Sequence, residues 1–275
     1  EDDKACPRYA AAIIEGIENS VILPIKITER LRRAGIQSVN PVVDITNYVM
    51  LKIGQPLHAF DGSRTSTGII KVRRGRNAEK LDLLNEDQIE LDEDCLVIAN
   101  DKEVIALAGV MGGLSSGVSE GTKCVILESA FFNPISIART ARKFNIQTDA
   151  STRFERGVDP NLCRRALEEA IGLITEFCGG QLVFRETVSS DNLVPPRSRV
   201  SFRPNKVNKT IGVEIPSKNI KSILINLGFE IKIISQDLWE IKAPSFRFDI
   251  KIEMDIVEEI IRFSSGSFII EEEIW

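Results

Sequence analysis

GIIKV (Gly68–Val72), LDLL (Leu81–Leu84), QIEL (Gln88–Leu91), CLVIAN (Cys95–Asn100), EVIALAG (Glu103–Gly109) and CVILES (Cys124–Ser129) follow one another along a single stretch of chain, separated by turn-forming residues. Short β-branched runs bounded in this way read as strands, because branched side chains suit a pleated, half-buried surface. Their succession predicts a meander. The flanking segments have a different period. Upstream, Asn40 and Pro41 stand at N-cap and N1 of a helix, VVDITNYVMLKI (Val42–Ile53), which Gly54 closes. Downstream, Asn133 and Pro134 cap a short helix, ISIARTARKF, and after a polar joint Asp159 and Pro160 cap a longer one. In the longer helix Ala166, Ala170, Leu173, Ile174 and Phe177 recur at helical spacing, and Gly179 lies just past its end. Strands and helices in separate runs predict an α+β domain with a mixed or antiparallel sheet and flanking helices.

Ser190–Arg199, SDNLVPPRSR, marks a boundary, because adjacent Pro195 and Pro196 favour extended backbone between two periodic segments. The expected division is a domain over residues 1–193, a linker over 194–198, a second domain over 199–263 and an atypical tail over 264–275. The second domain reads as a strand at Arg199–Phe202, helices near Asn205–Ile211 and Ser217–Leu227, a ribbon of FEIKII and LWEIKA, and a last helix from about Ile250 to Phe263. Three helices and a ribbon predict a small winged-helix-like α+β unit. Its basic residues form no continuous stripe, so DNA is not an expected partner.

The chain has 275 residues, enough for two domains, and with 43% hydrophobic and 27% charged residues it is an ordinary globular composition. A net charge of −5 argues against a free-standing nucleic-acid binder held by phosphate neutralisation. Contact with RNA is expected to be local. Cys6, Cys95, Cys124, Cys163 and Cys178 are odd in number with no CxxC spacing, which points to a reducing compartment and away from zinc. Neither a leader nor a membrane-length apolar run is visible, so the expected location is the cytoplasm, with no membrane partner.

Five features carry potential chemistry, each beside a plainer reading. His58, in GQPLHAFD, is the only histidine, and is either a turn residue with one backbone bond or a functional imidazole. Gly109, Gly112 and Gly113 in LAGVMGG lack the Lys-Ser/Thr pair of a phosphate loop. They form a tight turn or let a substrate approach backbone N–H donors. Glu128 stands among apolar residues, where a carboxylate is costly unless something pairs with it. TDASTRFERG (Thr148–Gly157) reads as a solvated, locally paired joint or as a functional cluster. Asp255, Glu258 and Glu259 share one helix face with Asp249 just before the helix, which makes either a solvated acidic face or a Mg²⁺ site.

NPVVDITNYVMLKIGQPLHAFD (Asn40–Asp61), LAGVMGG (Leu107–Gly113), LESAFFNPISIARTARK (Leu127–Lys143), TDASTRFERGVDP (Thr148–Pro160) and FDIKIEMDIVEEIIR (Phe248–Arg262) together resemble the bacterial phenylalanyl-tRNA synthetase β subunit, over about residues 5 to 263. The resemblance implies an editing domain that hydrolyses tyrosine misattached to tRNA(Phe), followed by a winged-helix-like domain beside the synthetase core. It implies a partner α subunit in an (αβ)2 heterotetramer, with ATP and phenylalanine activation belonging to the complete enzyme. The family's OB-type, catalytic-like and anticodon-binding domains have no counterpart here.

Residue by residue, the editing-site histidine matches His58, with Thr46, Asn47 and Pro56 nearby, and the tyrosine-discriminating glutamate matches Glu128. Ala108 and Gly109 match the small residues that leave room for the substrate ring, and Thr148 and Ala150 the opposite wall. Asp249, Asp255, Glu258 and Glu259 match Mg²⁺ ligands that face the α subunit. A basic residue found in some members falls at Pro41, and SSGSFIIEEEIW (264–275) departs from the family's Tyr-Gly-rich continuation. The rival expectation is a structural module that braces the α subunit and is inactive as a fragment.

Chemistry explains why such a family needs two sites. A hydrophobic pocket rejects one added hydroxyl by only about 10²-fold, whereas a site that hydrogen-bonds the hydroxyl rejects its absence by roughly 10⁴ to 10⁵. Glu128 is the expected acceptor, with His58 as its partner or as the group that orients water. The ester is already activated, so positioned water, N–H donors near Gly109 and the tRNA's terminal hydroxyl suffice.

Overall fold

The computed structural model describes residues 2–65, 69–212 and 214–264. The chain forms two compact units, one ending at Val194 and one beginning at Pro195. In chain order the first holds β1 (Arg8–Glu15), α1 (Ile25–Arg33), α2 (Pro41–Ile53), β2 (Leu57–Asp61), β3 (Lys71–Arg74), β4 (Lys80–Asp82), β5 (Gln88–Glu90), β6 (Leu96–Ala99), β7 (Val104–Leu107), β8 (Met111–Gly112), β9 (Cys124–Phe131), α3 (Pro134–Phe144), α4 (Asp149–Arg156), α5 (Leu162–Phe177) and β10 (Gln181–Ser189). The second holds β11 (Arg199–Phe202), α6 (Pro204–Ile211), α7 (Ser217–Asn226), β12 (Glu230–Ser235), β13 (Leu238–Lys242) and α8 (Glu253–Phe263). The fold class is α+β.

One sheet of the first unit runs β10-β1-β9-β2 and another β3-β6-β7-β8, with β4 and β5 as a separate hairpin. Every pairing is antiparallel. In the first sheet the pleat separates two faces. Ala10, Ala12 and Ile14 of β1 align with Ser129, Leu127 and Val125 of β9, all fully buried. Helix α5 packs on both strands, with Ala166 and Ala170 among its buried residues. The opposite face carries Tyr9, Ala11 and Ile13 of β1, Glu128 and Ile126 of β9, and His58 and Phe60 of β2. That face holds the candidate site.

Helix α2 starts as its sequence predicts. The Asn40 side chain accepts from the Val43 N–H, Pro41 occupies the first turn, and Gly54 ends the helix at φ +83°. Elsewhere the structure differs. Strands β1, β2 and β10 and helix α1 join the expected meander. RYAAAIIE is alanine-rich and a weak strand former by itself, and becomes a strand because β9 and β10 pair it on both sides. Helix α5 begins at Leu162 after Asn161, because the Asp159 carboxylate accepts the Asn161 N–H and forms a turn instead of a cap. TDASTRFERG is no joint: it forms α4, with a reciprocal bond pair between Thr148 and Ser151 at its start.

In the second unit the strands order β11-β13-β12. Phe202 and Trp239 pack at 5.9 Å over a core shared by Val207, Ile220, Leu224, Ile256 and Ile260. Helix α8 begins at Glu253, later than expected, because Asp255 Oδ2 takes the Lys251 and Ile252 N–H groups at 2.7 and 2.9 Å. The tail over 265–275 lies outside the described residues.

Candidate active site

Strands β2 and β9 set His58 and Glu128 directly opposite each other, and opposed residues of an antiparallel pair project from one face. The next residue in that row is Ala11 of β1, which leaves space beside the carboxylate. Tyr9, two positions back along β1, reaches across this space and donates its hydroxyl to Glu128 Oε2 at 2.8 Å. Glu128 is only 5% exposed. Burial pushes its carboxyl up to about 7, while the Tyr9 hydrogen bond pulls in the other direction. Burial holds the His58 imidazole down to about 4, so it is neutral at physiological pH. Its Nε2 is buried with no hydrogen-bond partner among the described residues. Such an orphan costs roughly 1–3 kcal/mol, and folds tolerate that loss mainly where a site needs the group. Phe60 lies edge-on to the imidazole at 4.5 Å between ring centres, which fixes the ring's orientation.

The glycine turn closes over this row. Val110 N–H donates to the Leu107 carbonyl at 3.0 Å, and Gly109 sits inside the turn at φ +66°. A Cβ on Gly109 would lie 3.0 Å from Ile137 Cδ1 and from Phe132 Cδ2, and 3.1 Å from Phe154 Cδ2. Backbone sign and space therefore both demand glycine. The Gly109 N–H has no acceptor among the described residues. Gly112 is needed for a different reason: a Cβ there would stand 2.5 Å from His58 Cε1 and 2.8 Å from Nε2. Thr148 ties the turn to α4, its Oγ1 donating to the Val110 carbonyl at 2.9 Å and accepting from Ser151 N–H at 3.0 Å. Phe154, on that helix, packs edge-on against Phe132 at 5.1 Å.

Two cavities meet at the imidazole. An inner slot of about 60 Å³ is walled by His58, Glu128, Gly109, Gly112, Ala150 and Phe154. An outer groove of about 450 Å³ runs past Thr46, Asn47 and Met50 of α2 to Thr148 and Asp149. Of the residues marked in the sequence, Pro56, His58, Gly109, Glu128 and Ala150 thus line the slot, and Thr46, Asn47 and Thr148 the groove. Ala108 lines neither: it is fully buried and its N–H donates to the Leu96 carbonyl at 3.0 Å. Sequence reasoning passed over Phe154, which its amphipathic helix would have revealed, and Tyr9, for which nothing local signals a partner 119 positions away.

The acidic quartet behaves differently. Arg247 donates to Glu259 through two nitrogens, each at 2.9 Å, and through Nε to Asp249 at 2.8 Å. Arg262 pairs with Glu258 and Glu259, and Asp255 serves the helix start. These hydrogen bonds, from Arg247 foremost, hold the Asp249 and Glu259 carboxyls below their ordinary range. No group of three or more Asp, Glu, His or Cys is placed to hold a metal ion among the described residues. As placed, the four carboxylates do not fit a Mg²⁺ held by this chain alone, since two guanidinium groups engage Asp249, Glu258 and Glu259 and backbone N–H groups engage Asp255. No helix of the described residues is long and apolar enough to cross a membrane.

Known proteins resemble this chain. The B3/4 domain family matches residues 5–179, and the tRNA synthetase B5 domain family matches residues 200–264. A phenylalanine–tRNA ligase beta subunit from Idiomarina loihiensis is 45% identical over 257 residues, covering 94% of this chain and 32% of that protein. Its counterpart from Nitrosococcus oceani is 46% identical over 258 residues, with 94% and 32% covered. The chain thus spans about a third of the length of these relatives. A solved N-terminal fragment of the phenylalanyl-tRNA synthetase beta subunit from Pyrococcus horikoshii aligns over 94% of this chain and 71% of that one, at 16% identity and a TM-score of 0.43. With the B3/4 match spanning most of its length and relatives of one name across nearly all of it, the chain belongs to the B3/4 domain family and to the phenylalanine–tRNA ligase beta-subunit family.

Proposed function

We propose that the slot hydrolyses tyrosine misesterified to tRNA(Phe), within a complete synthetase that contains an α subunit and docks the tRNA. The observation that carries this reading is Glu128: a buried carboxylate at the wall of a mainly apolar slot, with one oxygen held by Tyr9 and the other without a partner among the described residues. In this reading the tyrosyl ring occupies the slot and brings its hydroxyl to that carboxylate. A phenylalanyl ring leaves the second carboxylate oxygen desolvated and unpaired, which penalises it steeply. His58, neutral and unpaired, lines both slot and groove, and so stands where the ester leaves the ring pocket. There it orients a water or the tRNA's terminal hydroxyl. The Gly109 N–H is the available donor for the oxyanion. Glu128 recognises the side chain and does not act as the base, because the reacting carbonyl is a side-chain length away from the hydroxyl. Magnesium shared with the α subunit and ATP belong, in this reading, to the complete synthetase.

The test is deacylation of Tyr-tRNA(Phe) by the αβ complex containing full-length β subunit, comparing wild type with Glu128→Ala and His58→Ala. Glu128→Ala is expected to lose preference for the tyrosyl ester, and His58→Ala to slow hydrolysis at least tenfold. Unchanged hydrolysis in both variants refutes the assignment.

A further inference from the structure

Glu128 has two carboxylate oxygens, and the fold treats them differently. Oε2 accepts the Tyr9 hydroxyl. Oε1 has no hydrogen-bond partner among the described residues, and is not among the atoms sealed from solvent without one. Glu128 lines the slot, so Oε1 is the oxygen the slot meets. Tyr9 itself lies outside the slot, in the neighbouring groove between Ile69, Ile70, Phe184 and Val188. It touches the carboxylate from behind. Register explains how: Tyr9 aligns with Ala130, two residues beyond Glu128 on β9, which makes Tyr9 the diagonal neighbour of Glu128, and an aromatic side chain spans that diagonal where the opposed residue is as small as Ala11.

Resting on the editing reading above, we propose that Tyr9 is a specificity-positioning residue, whose hydroxyl holds Glu128 by Oε2 and so presents Oε1 to the para-hydroxyl of the bound tyrosyl group. The phenol can play this part because it stays protonated: burial, and then the nearby Glu128 charge, push its ionisation well above the ordinary tyrosine range. A hydroxyl that always donates to Oε2 leaves Oε1 as the atom that gains or loses the proton. When Glu128 is ionised, Oε1 is a pure acceptor for the substrate hydroxyl; when it is protonated, Oε1 becomes a donor and that acceptor is lost. Preference for tyrosine therefore follows the ionisation of Glu128.

The groups facing Glu128 are Tyr9 from β1, His58 from β2, Glu186 from the edge strand β10 through Ala11, and Cys6 just before β1. His58 titrates far below neutrality, while Tyr9 and Cys6 titrate far above it. Glu186 is exposed on the far side of Ala11, and a Glu186→Gln control separates its contribution.

The experiment uses the αβ complex with full-length β subunit and follows single-turnover deacylation of Tyr-tRNA(Phe) and Phe-tRNA(Phe) between pH 5.5 and 9. In the wild type, the tyrosine-over-phenylalanine ratio of kcat/KM is expected to rise through about pH 7. Tyr9→Phe is expected to shift that rise upward by roughly one pH unit and to raise KM for the tyrosyl ester roughly tenfold with kcat little changed. 3-Fluorotyrosine at position 9, a stronger donor of the same shape, is expected to bring the rise back to or below its wild-type position. Three results overturn the proposal: a Tyr9→Phe profile superimposable on wild type, an equal loss on both esters, or no rescue by fluorotyrosine. Glu128→Ala runs beside these variants. If it leaves the tyrosine preference intact, the editing reading itself fails; if it abolishes the preference while Tyr9→Phe does nothing, only the role of Tyr9 fails.

Discussion

Replacing Glu128 by Gln turns the burial of one carboxyl into a measurable dependence of stability on pH. The folded carboxyl titrates at about 7 against 4.5 for the free group, a gap of about 2.5 units. Below the lower value both states are protonated and burial costs nothing through ionisation. Between 4.5 and 7 the native state retains the proton and the unfolded state has lost it, so stability falls as pH rises. Above 7 the full penalty is present, roughly 3 kcal/mol at about 1.4 kcal/mol per unit. Gln cannot ionise. The difference in unfolding free energy, Glu128→Gln minus wild type, is therefore expected to climb by roughly 3 kcal/mol between pH 4 and pH 8.5. Any fixed cost of the new amide is the same at both pH values, and the titration of His58 is present in both proteins, so both cancel in that difference. Urea unfolding of the 275-residue chain, followed by fluorescence and circular dichroism across that pH range, measures it. A flat difference means that Glu128 is hydrated in solution, and the buried-acceptor argument falls with it.

Two further outcomes test neighbouring parts of the structure. Gly112→Ala places a methyl group 2.5 Å from His58 Cε1, so the imidazole must swing off Phe60; deacylation of the tyrosyl ester is expected to fall at least tenfold while far-UV circular dichroism is unchanged. Wild-type deacylation by this variant refutes the idea that Gly112 seats the imidazole. Arg247→Ala removes two hydrogen bonds from Glu259, whose side chain is 4% exposed, and leaves it only Arg262 at 3.2 Å. A loss of roughly 2–3 kcal/mol is expected in the second unit's unfolding transition, toward the low end for a broken buried pair because one partner remains. A loss below about 0.5 kcal/mol, the value of an exposed pair, shows that the network is solvated.

What the sequence disclosed follows the reach of its signals. Asn40, Pro41 and Gly54 bracket α2 because caps act within one helical turn, and the β-branched runs announce strands by their own alternation. His58, Glu128 and Gly109 came from motif resemblance and converge on one slot. Ala108 stands beside Gly109 in the same motif yet is buried in the core, since the turn from Leu107 to Val110 gives neighbouring residues different surroundings. Strand β1 was hidden because alanines carry little strand preference, and its pairing partners come from Cys124–Phe131 and Gln181–Ser189, far along the chain. The acidic residues of α8 illustrate the opposite failure. Their spacing shows which carboxylates share a helix face, but Arg247, which pairs with Glu259 and with Asp249 before the helix, lies outside the helix and outside that periodicity.

Register makes the site and the fold a single fact. His58, Glu128 and Ala11 form one row across β2, β9 and β1, and Tyr9 reaches that row only because it lies two positions from Ala11, on the same face. A slip of one residue in β1 would turn Tyr9 toward α5 and bring Ala10 and Ala12 to the site face. Packing opposes this slip: Ala10 and Ala12 are fully buried on the strand that α5 packs against, and a slip would force the much larger Tyr9 ring into that buried face. The alanines that conceal β1 from sequence reading are thus what hold its register. By holding the register they place the phenol behind the carboxylate, so the packing of one sheet face sets the hydrogen bonding on the other.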